Sequence, residues 1–215
     1  MDDLWPLAGL RVRSGDLELR YMDDADVHAL ARLAADGVHA PEAMPFTVPW
    51  TRGAPTEVAR RVLTYQWGAR VSVSRDAWNL ELAVVRDGEV LGTQSLTASG
   101  FPVTRTAETG SWLGLRHHGQ GLGTRMRLMI LHLLFEGFDG LRATTSAFDD
   151  NAPSNGVTRR IGYAENGVDV LDREGSPVAS RRYVLDRVAW DARPPELRPV
   201  VELDGIPGAR VQLGI

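Results

Sequence analysis

The stretch that most constrains this chain is SWLGLRHHGQGLGT at 111–124, followed by an apolar helical run to about Phe138. Its first residues read as a buried strand, because Trp112, Leu113 and Leu115 are apolar and the preceding Thr109-Gly110 is small. Gly119, Gly121 and Gly123 then stand at alternate positions. Glycine at every second residue lets a backbone turn tightly and leaves its N–H groups uncovered. A helix begins directly afterwards, so those N–H groups lie at a helix N-terminus, where the dipole favours negative charge. Strand, glycine turn and helix together describe a phosphate cradle.

Which phosphate it holds is narrowed by what is missing. A Walker-type loop needs a lysine after its last glycine, and Thr124 stands there. The chain has no lysine at all; its 24 basic residues are all arginine. P-loop and lysine Schiff-base chemistry are therefore excluded. The dinucleotide fingerprint G-x-G-x-x-G belongs early in a βαβ unit with an acidic residue beyond it, whereas here G-x-G-x-G comes late and no acid falls clearly at that point.

Composition bounds the rest. At 215 residues the chain is one large domain, or one domain with an appendage, and is long enough for a sizeable core. A net charge of −4 argues against a nucleic-acid binder held by bulk electrostatics. With no cysteine there is no disulfide, thiolate metal site or cysteine nucleophile, which suits a cytoplasmic protein. The acidic start MDDLWPLAGL is no signal peptide, and no apolar run approaches the roughly 18 residues of a membrane span. No cluster of histidine and carboxylates has metal-ligand spacing.

In order, the pattern predicts an apolar lead-in at Leu4–Leu10 and a strand at Asp16–Met22. A helix over 24–36 is capped by Asp23, and a second runs from a Thr56 cap to about Arg75 with Val58, Val62, Tyr65 and Ala69 on one face. Between them, 37–55 is too apolar for a linker. A hairpin joins Leu80–Arg86 to Val90–Thr97 through Asp87-Gly88. A loop at 98–107 leads to the strand ending at Leu115, then to the cradle helix with Met126, Met129, Ile130, Leu133 and Leu134 inward. Strand Leu141–Phe148, a short helix ending at Gly162 and a hairpin of 163–171 and 178–186 complete an α+β order with one mixed sheet. Residues 188–215 read as an irregular, proline-containing appendage whose apolar residues pack on the domain or on a neighbouring subunit, dividing the chain at 1–187 and 188–215.

Residues 112–121, WLGLRHHGQG, resemble the coenzyme-A loop of the GNAT acyltransferases: Arg or Gln, two residues, Gly, any residue, Gly or Ala, matched by Arg116, Gly119 and Gly121. A second motif, DNAPSNGVTRRIGY at 150–163, resembles the family's D-N-x-x-S…V…(K/R)-(L/I)-G-(Y/F) signature through Asn151, Ser154, Val157, Ile161, Gly162 and Tyr163. It is most like the ribosomal-protein N-terminal acetyltransferase branch, as is Met44-Pro-Phe with Pro49-Trp50-Thr51. The resemblance covers about 16–187. Arg116, where many branch members carry an acid, and the tail depart from it.

The resemblance implies a GNAT fold: a mixed, mostly antiparallel sheet flanked by helices, splayed at the cofactor strand. It implies acetyl-CoA as acyl donor and direct transfer to a primary amine, with no covalent enzyme intermediate and no metal. Pyrophosphate would meet the backbone of His117, His118, Gly119, Gln120, Gly121, Leu122, Gly123 and Thr124. The pantetheine arm would lie along Trp112, Leu113, Gly114 and Leu115. Ser154 would protonate the departing sulfur, and Asn151 would orient the arm or the serine. Ser154 is equally read as a helix N-cap or a partner of Asn151.

A base must also take a proton from the acceptor ammonium. Glu108 is the first choice, against a solvated strand-end charge; His117 and His118 are read more as loop packing or phosphate contacts than as bases. Met44, Phe46 and Trp50 are candidate acceptor-pocket residues, while Trp67 and Trp78 read as core. Arg159 and Arg160 read as solvated helix charges, with a 3′-phosphate contact as the alternative. The acceptor is left open among a protein N-terminus, an amino sugar or antibiotic, a polyamine and an amino acid. A succinyl donor and a non-catalytic acyl-CoA-binding module are the competing readings, and a homo-oligomer is expected.

Overall fold

The chain is described over residues 4–215 by a computed structural model. A 3-10 turn at Pro6–Gly9 leads into β1 (Arg11–Ser14) and β2 (Leu17–Tyr21). The sequence pattern marks only β2, because Arg-Val-Arg-Ser offers a single buried apolar residue, Val12. Helix α1 (Asp24–Ala35) starts where the Asp23 carboxylate accepts the Asp26 N–H at 2.8 Å. Helix α2 (Pro55–Val71) is capped two residues ahead of the expected Thr56: Ala54 is the cap residue, and the Glu57 carboxylate accepts its N–H at 3.1 Å. Pro55 fits the first turn, where a helix has no use for an N–H.

Strands β3 (Ala77–Arg86) and β4 (Glu89–Ser99) are joined through Asp87 and Gly88, both at positive φ (52° and 80°), the geometry of a tight hairpin turn. The expected loop after β4 contains a short helix, α3 (Phe101–Thr104), that buries Phe101. Then come β5 (Thr106–Leu113), α4 (Leu122–His132, prolonged by a π turn to Gly137), β6 (Arg142–Phe148), α5 (Ala152–Ile161), β7 (Ala164–Arg173) and β8 (Ser176–Asp186).

The nine-stranded sheet, which includes β9 (Glu202–Asp204), has the order β7-β8-β6-β5-β4-β3-β2-β1-β9. Every neighbouring pair is antiparallel except β5 with β6. One face carries the larger core, where Leu80, Leu82, Leu96 and Ala107 meet Met129 and Ile130 of α4. All five residues expected inward on α4 are buried. The other face carries a smaller core in which Ala83 and Val85 meet Val27 and Leu30 of α1 and Val58 and Val62 of α2.

The C-terminal segment is ordered rather than irregular. Helix α6 (Arg187–Asp191) precedes β9, which pairs antiparallel with β1 (Val12↔Leu203), and α7 (Ile206–Leu213) follows. Pro207, in the stretch expected to be irregular, falls in the first turn of α7. Trp190, Leu197, Ala209 and Leu213 join the larger core. Trp190 stacks on Phe135 (centroids 5.1 Å, 21° between planes), donates its indole N–H to Glu136 at 2.8 Å and carries the Arg193 guanidinium 3.4 Å above its ring. Truncating it empties a site closed on both faces. Trp190→Ala should therefore cost about 3–5 kcal/mol, read as a lowered urea midpoint at unchanged slope. A loss below about 1 kcal/mol would show that the segment is only appended to the core.

Candidate active site

The parallel pairing of β5 with β6 lasts three residues, Thr106↔Arg142 to Glu108↔Thr144. Beyond it β5 stays with β4 as far as Leu113↔Gly92, and β6 stays with β8 as far as Phe148↔Ser180. Threonine hydroxyls end the shared ladder: Thr145 donates to the Thr109 carbonyl at 3.0 Å, and Thr109 donates to the Thr144 carbonyl at 3.3 Å. Side-chain donors take the carbonyls that the next backbone rung would use. The Gly114 N–H bonds the Leu91 carbonyl of the β4 side (2.9 Å), so even-numbered residues of β5 direct their backbone toward β4. Ser111 and Leu113 therefore direct theirs into the gap toward β6.

At the mouth of this gap lies the glycine turn. The strand ends at Leu113, two residues before the expected Leu115, and residues 115–117 form a 3-10 turn. Leu115 is 43% exposed, with its N–H on the Gly37 carbonyl at 3.0 Å, so the open edge ends short of it. Gly119 and Gly121 adopt φ of 73° and 75°, and a Cβ on either would meet nothing within 4 Å. Both face open space in front of α4, and Gly121 caps that helix without any side-chain bond. Among the described residues, nothing accepts the N–H groups of Gly119, Gln120 and Gly121. That is a concave set of free donors at a helix N-terminus, with Leu122, Gly123 and Thr124 in its first turn.

The neighbouring side chains are engaged elsewhere. Arg116 bonds Glu89 at 2.8 Å and Asp36 at 3.3 Å, and its Nε donates to His117 Nε2 at 3.1 Å. His117 is buried, and desolvation, helped by the Arg116 charge, lowers its pKa. It is a neutral packing residue in this loop. His118 Nε2 donates to the Leu113 carbonyl at 3.0 Å, covering the last acceptor of the β5 edge. Gln120 spans from the Arg116 carbonyl to Arg86.

Across the gap, Asn151 is the cap of α5, its Oδ1 accepting the Ser154 N–H at 3.2 Å. Ser154 is thus the third residue of the helix and not its cap. Its carbonyl accepts from Thr158 at 2.9 Å, while among the described residues its hydroxyl has no partner. Glu108 is exposed at the last paired rung, on the face shared with Gly110 and Trp112 and opposite the α4 core. Serine and glutamate thus flank the apex of the splay from opposite faces.

The acetyltransferase (GNAT) domain model matches residues 16–164. This chain belongs to the GNAT acetyltransferase family. Among solved structures, RimJ of Mycobacterium smegmatis in complex with a coenzyme A disulfide is 20% identical at a TM-score of 0.64, over 98% of this chain and 96% of that one. A RimL ribosomal L7/L12 alpha-N-protein acetyltransferase in complex with coenzyme A is 23% identical at 0.66, over 82% and 97%. A GCN5-related N-acetyltransferase from Brucella melitensis is 19% identical at 0.67, over 85% and 80%. The nine-stranded mixed sheet is the GNAT fold.

On the far side of the sheet the acetyltransferase arranges its aromatic loop. His39, Phe46, Trp50 and Trp112 follow one another at centroid distances of 5.9, 5.0 and 5.4 Å, so Phe46 and Trp50 build onto the β5 strand. Met44 is buried, and its carbonyl accepts from Arg173 at 3.5 Å. A clasp holds this loop to the β7–β8 turn: Arg52 makes a two-pronged pair with Glu174 (2.8 and 3.0 Å), and Arg173 pairs with Asp150 (2.9 and 2.7 Å). Trp78 is core, as expected, whereas Trp67 is 43% exposed and faces His28.

Two polar groups of this region escape a motif search. Arg127 of α4 is buried, and Glu81 of β3 is buried on the face that carries α1 and α2. Glu81 accepts from the Tyr65 hydroxyl at 3.1 Å and from Thr93 at 2.9 Å. Asn79 donates to the same Tyr65 oxygen at 2.9 Å and accepts from Thr97, the residue in register with Glu108. The alternation of β3 carries the signal, since Glu81 falls on the face that also holds Ala83 and Val85. Desolvation pushes the Glu81 carboxyl up, against its hydroxyl partners.

The cradle reading predicts that Gly121→Val folds, because no atom blocks the new side chain, while strain of about 1–3 kcal/mol and a branched group before the helix remove coenzyme A binding. Unchanged affinity by calorimetry, with a native circular dichroism spectrum, would remove the cradle from the cofactor site. A second prediction follows from Glu81. Its folded pKa is raised, so its contribution to stability is complete below the ordinary glutamate range and is lost as pH rises through the raised value. Glu81→Gln should match the wild type near about pH 5 and exceed it in Tm near about pH 8. A gap that shrinks or reverses on raising the pH would show that the ionised form is the stabilised one.

Proposed function

We propose that this acetyltransferase moves an acyl group from coenzyme A directly to a primary amine, acetyl being the donor its family name specifies. The observation that carries the reading is the three-residue limit of β5–β6 pairing. It leaves the backbone of Ser111 and the N–H of Leu113 unpaired along a gap that opens onto the glycine cradle. An amide-rich pantetheine arm matches that edge as an added strand would, and a pyrophosphate matches the free N–H groups of residues 119–121 and the first turn of α4.

Bound there, the coenzyme supplies an activated thioester whose acyl carbon the acceptor nitrogen takes as the sulfur leaves. The protein's part is proton handling and positioning. Glu108, exposed on the acceptor-side face at the last paired rung, takes a proton from the ammonium. Ser154, with its hydroxyl unengaged on the coenzyme side, donates to the sulfur. Asn151 positions Ser154 through the α5 cap. Met44, Phe46 and Trp50 form the acceptor wall, held by the Arg52–Glu174 clasp.

Helix α1 packs mainly on β4 and α2 on β3, and β5 joins their core through Trp112, so the face beyond it toward β6 and β8 has room for an acceptor larger than a free amino acid. That openness favours the α-amino group of a polypeptide over a small enclosed amine. The RimL and RimJ neighbours support the same choice by analogy.

Ser154→Ala and Glu108→Gln should each lower kcat by about 100-fold or more, with coenzyme A affinity within a few fold of wild type. An active amine acceptor whose turnover neither change slows would overturn the assignment of both residues. A protein that binds coenzyme A but acylates neither peptide N-termini nor small amines would leave only the binding half of the reading.

A further inference from the structure

Arg127 is the only arginine in the buried class among the described residues, at 5% exposure. A guanidinium keeps its charge at any physiological pH, and burying it demands compensation. The compensation supplied by the protein is small. Nη1 donates to the Thr145 hydroxyl and Nη2 to the Ser111 hydroxyl, each at 3.3 Å, long beside the roughly 2.7–2.9 Å of a charge-assisted bond. The Nε is buried without a partner. Among the described residues no carboxylate lies within salt-bridge distance of Arg127, although eighteen arginine–carboxylate contacts are made elsewhere.

The position of this charge identifies what it faces. Ser111 is on β5 and Thr145 on β6, so Arg127 bridges the two strands where they part. Continuing the register beyond its last pair sets Ser111 opposite Ala147, a small side chain on each strand. Thr109 and the Tyr163 hydroxyl, 3.4 Å apart, extend the polar lining below. Phosphates held at the cradle do not account for the charge. Arg127 lies six residues beyond Gly121, about 9 Å along the helix axis, and its guanidinium is directed at the strands.

We propose that Arg127 binds a carboxylate at the far end of the donor's acyl group, making the preferred donor a short dicarboxylic acyl-CoA such as succinyl-CoA. This rests on the transferase reading above and replaces acetyl as the acyl group carried. The acyl chain lies at the apex of the splay, beside the Thr145 and Ser111 hydroxyls that hold the guanidinium. Its terminal carboxylate pairs with the guanidinium and meets the N–H groups that the protein leaves unsatisfied. Transfer is otherwise unchanged, the acceptor nitrogen losing its proton and the sulfur gaining one.

Butyryl- and succinyl-CoA have the same chain length and differ by a methyl in place of the carboxylate, so their comparison isolates the charge. Coenzyme A, butyryl-CoA and succinyl-CoA are titrated into the full chain by calorimetry. The expected result is succinyl-CoA binding at least about tenfold more tightly than butyryl-CoA, the size of one charge-assisted contact. In Arg127→Met that preference should disappear. Equal binding of the two thioesters to the wild type overturns the donor assignment without any variant, and so does a preference that survives in Arg127→Met. Equal weakening of all three ligands in Arg127→Met would instead mark the arginine as a strut of the splay and overturn the assignment. A wild type that binds none of the three overturns the transferase reading itself, and this inference with it.

Discussion

Everything in this molecule depends on one interrupted ladder. Two parallel strands in the middle of a sheet ordinarily continue side by side, because each lost rung strands a backbone donor and acceptor. Here β5 and β6 part after three pairs, and each is held by its outer neighbour instead. The cost is limited because the divergence is spanned by polar side chains: Thr109 and Thr145 at the fork, Arg127 behind it, and His118 at the open end. What stays unpaired is a short stretch of one strand edge, flanked by two helix N-termini. A sheet continuous at this point would have a stronger ladder and no place for a cofactor.

The two faces of the fork serve different tasks, and the packing keeps them apart. On one side α4 and α5 bring the cradle, Ser154 and Arg127 together over the larger core. On the other, α1 and α2 cover mainly β3 and β4 and reach β5 at Trp112, where the aromatic loop stacks, leaving Glu108 exposed; the loop is tied down at its far end by the Arg52–Glu174 pair. That pair is solvent-exposed, so its contribution to stability is small. Its geometry matters more, because it joins the aromatic loop to a hairpin on the opposite margin of the fork. The C-terminal segment works at a distance from all this. It extends the sheet beyond β1 and closes the core around Trp190 and Phe135, the latter in the π turn that prolongs α4.

Legibility in the sequence followed the range of the interactions involved. The hairpin at Asp87-Gly88, the Asp23 cap, the inward face of α4 and the glycine turn rest on neighbours in sequence, and each was visible. The two motifs that resemble the GNAT family identified the superfamily because they encode local geometry around a shared ligand. β1 and β9 were missed because each is short and forms by pairing with a distant partner. The ends of β5 were misjudged for a related reason. Leu115 continues an apolar alternation, yet its N–H is claimed by Gly37 from another part of the chain. Arg127 and Glu81 were invisible for a further reason. A charged residue in an apolar run ordinarily reads as the solvent side of its element, and only the packed sheet shows both to be inside.

The absence of lysine acquires a meaning once the fold is known. Several of the arginines hold carboxylates with two nitrogens: Arg20 on Asp26 at 2.9 and 2.6 Å, Arg52 on Glu174, Arg173 on Asp150. A single ammonium cannot reproduce such forks, so arginine is a geometric requirement at those points. Elsewhere, as at Arg32 or Arg60, no such pair is made among the described residues, and either cation would serve the surface equally. The difference there is chemical. A lysine amine is the acceptor type that an activated acyl thioester modifies, whereas a guanidinium stays protonated and is a poor nucleophile. With all 24 basic residues arginine, the protein presents no side-chain amine to compete with its acceptor beside the thioester. The same substitution that strengthens its ion pairs also leaves its own side chains inert toward the chemistry it performs.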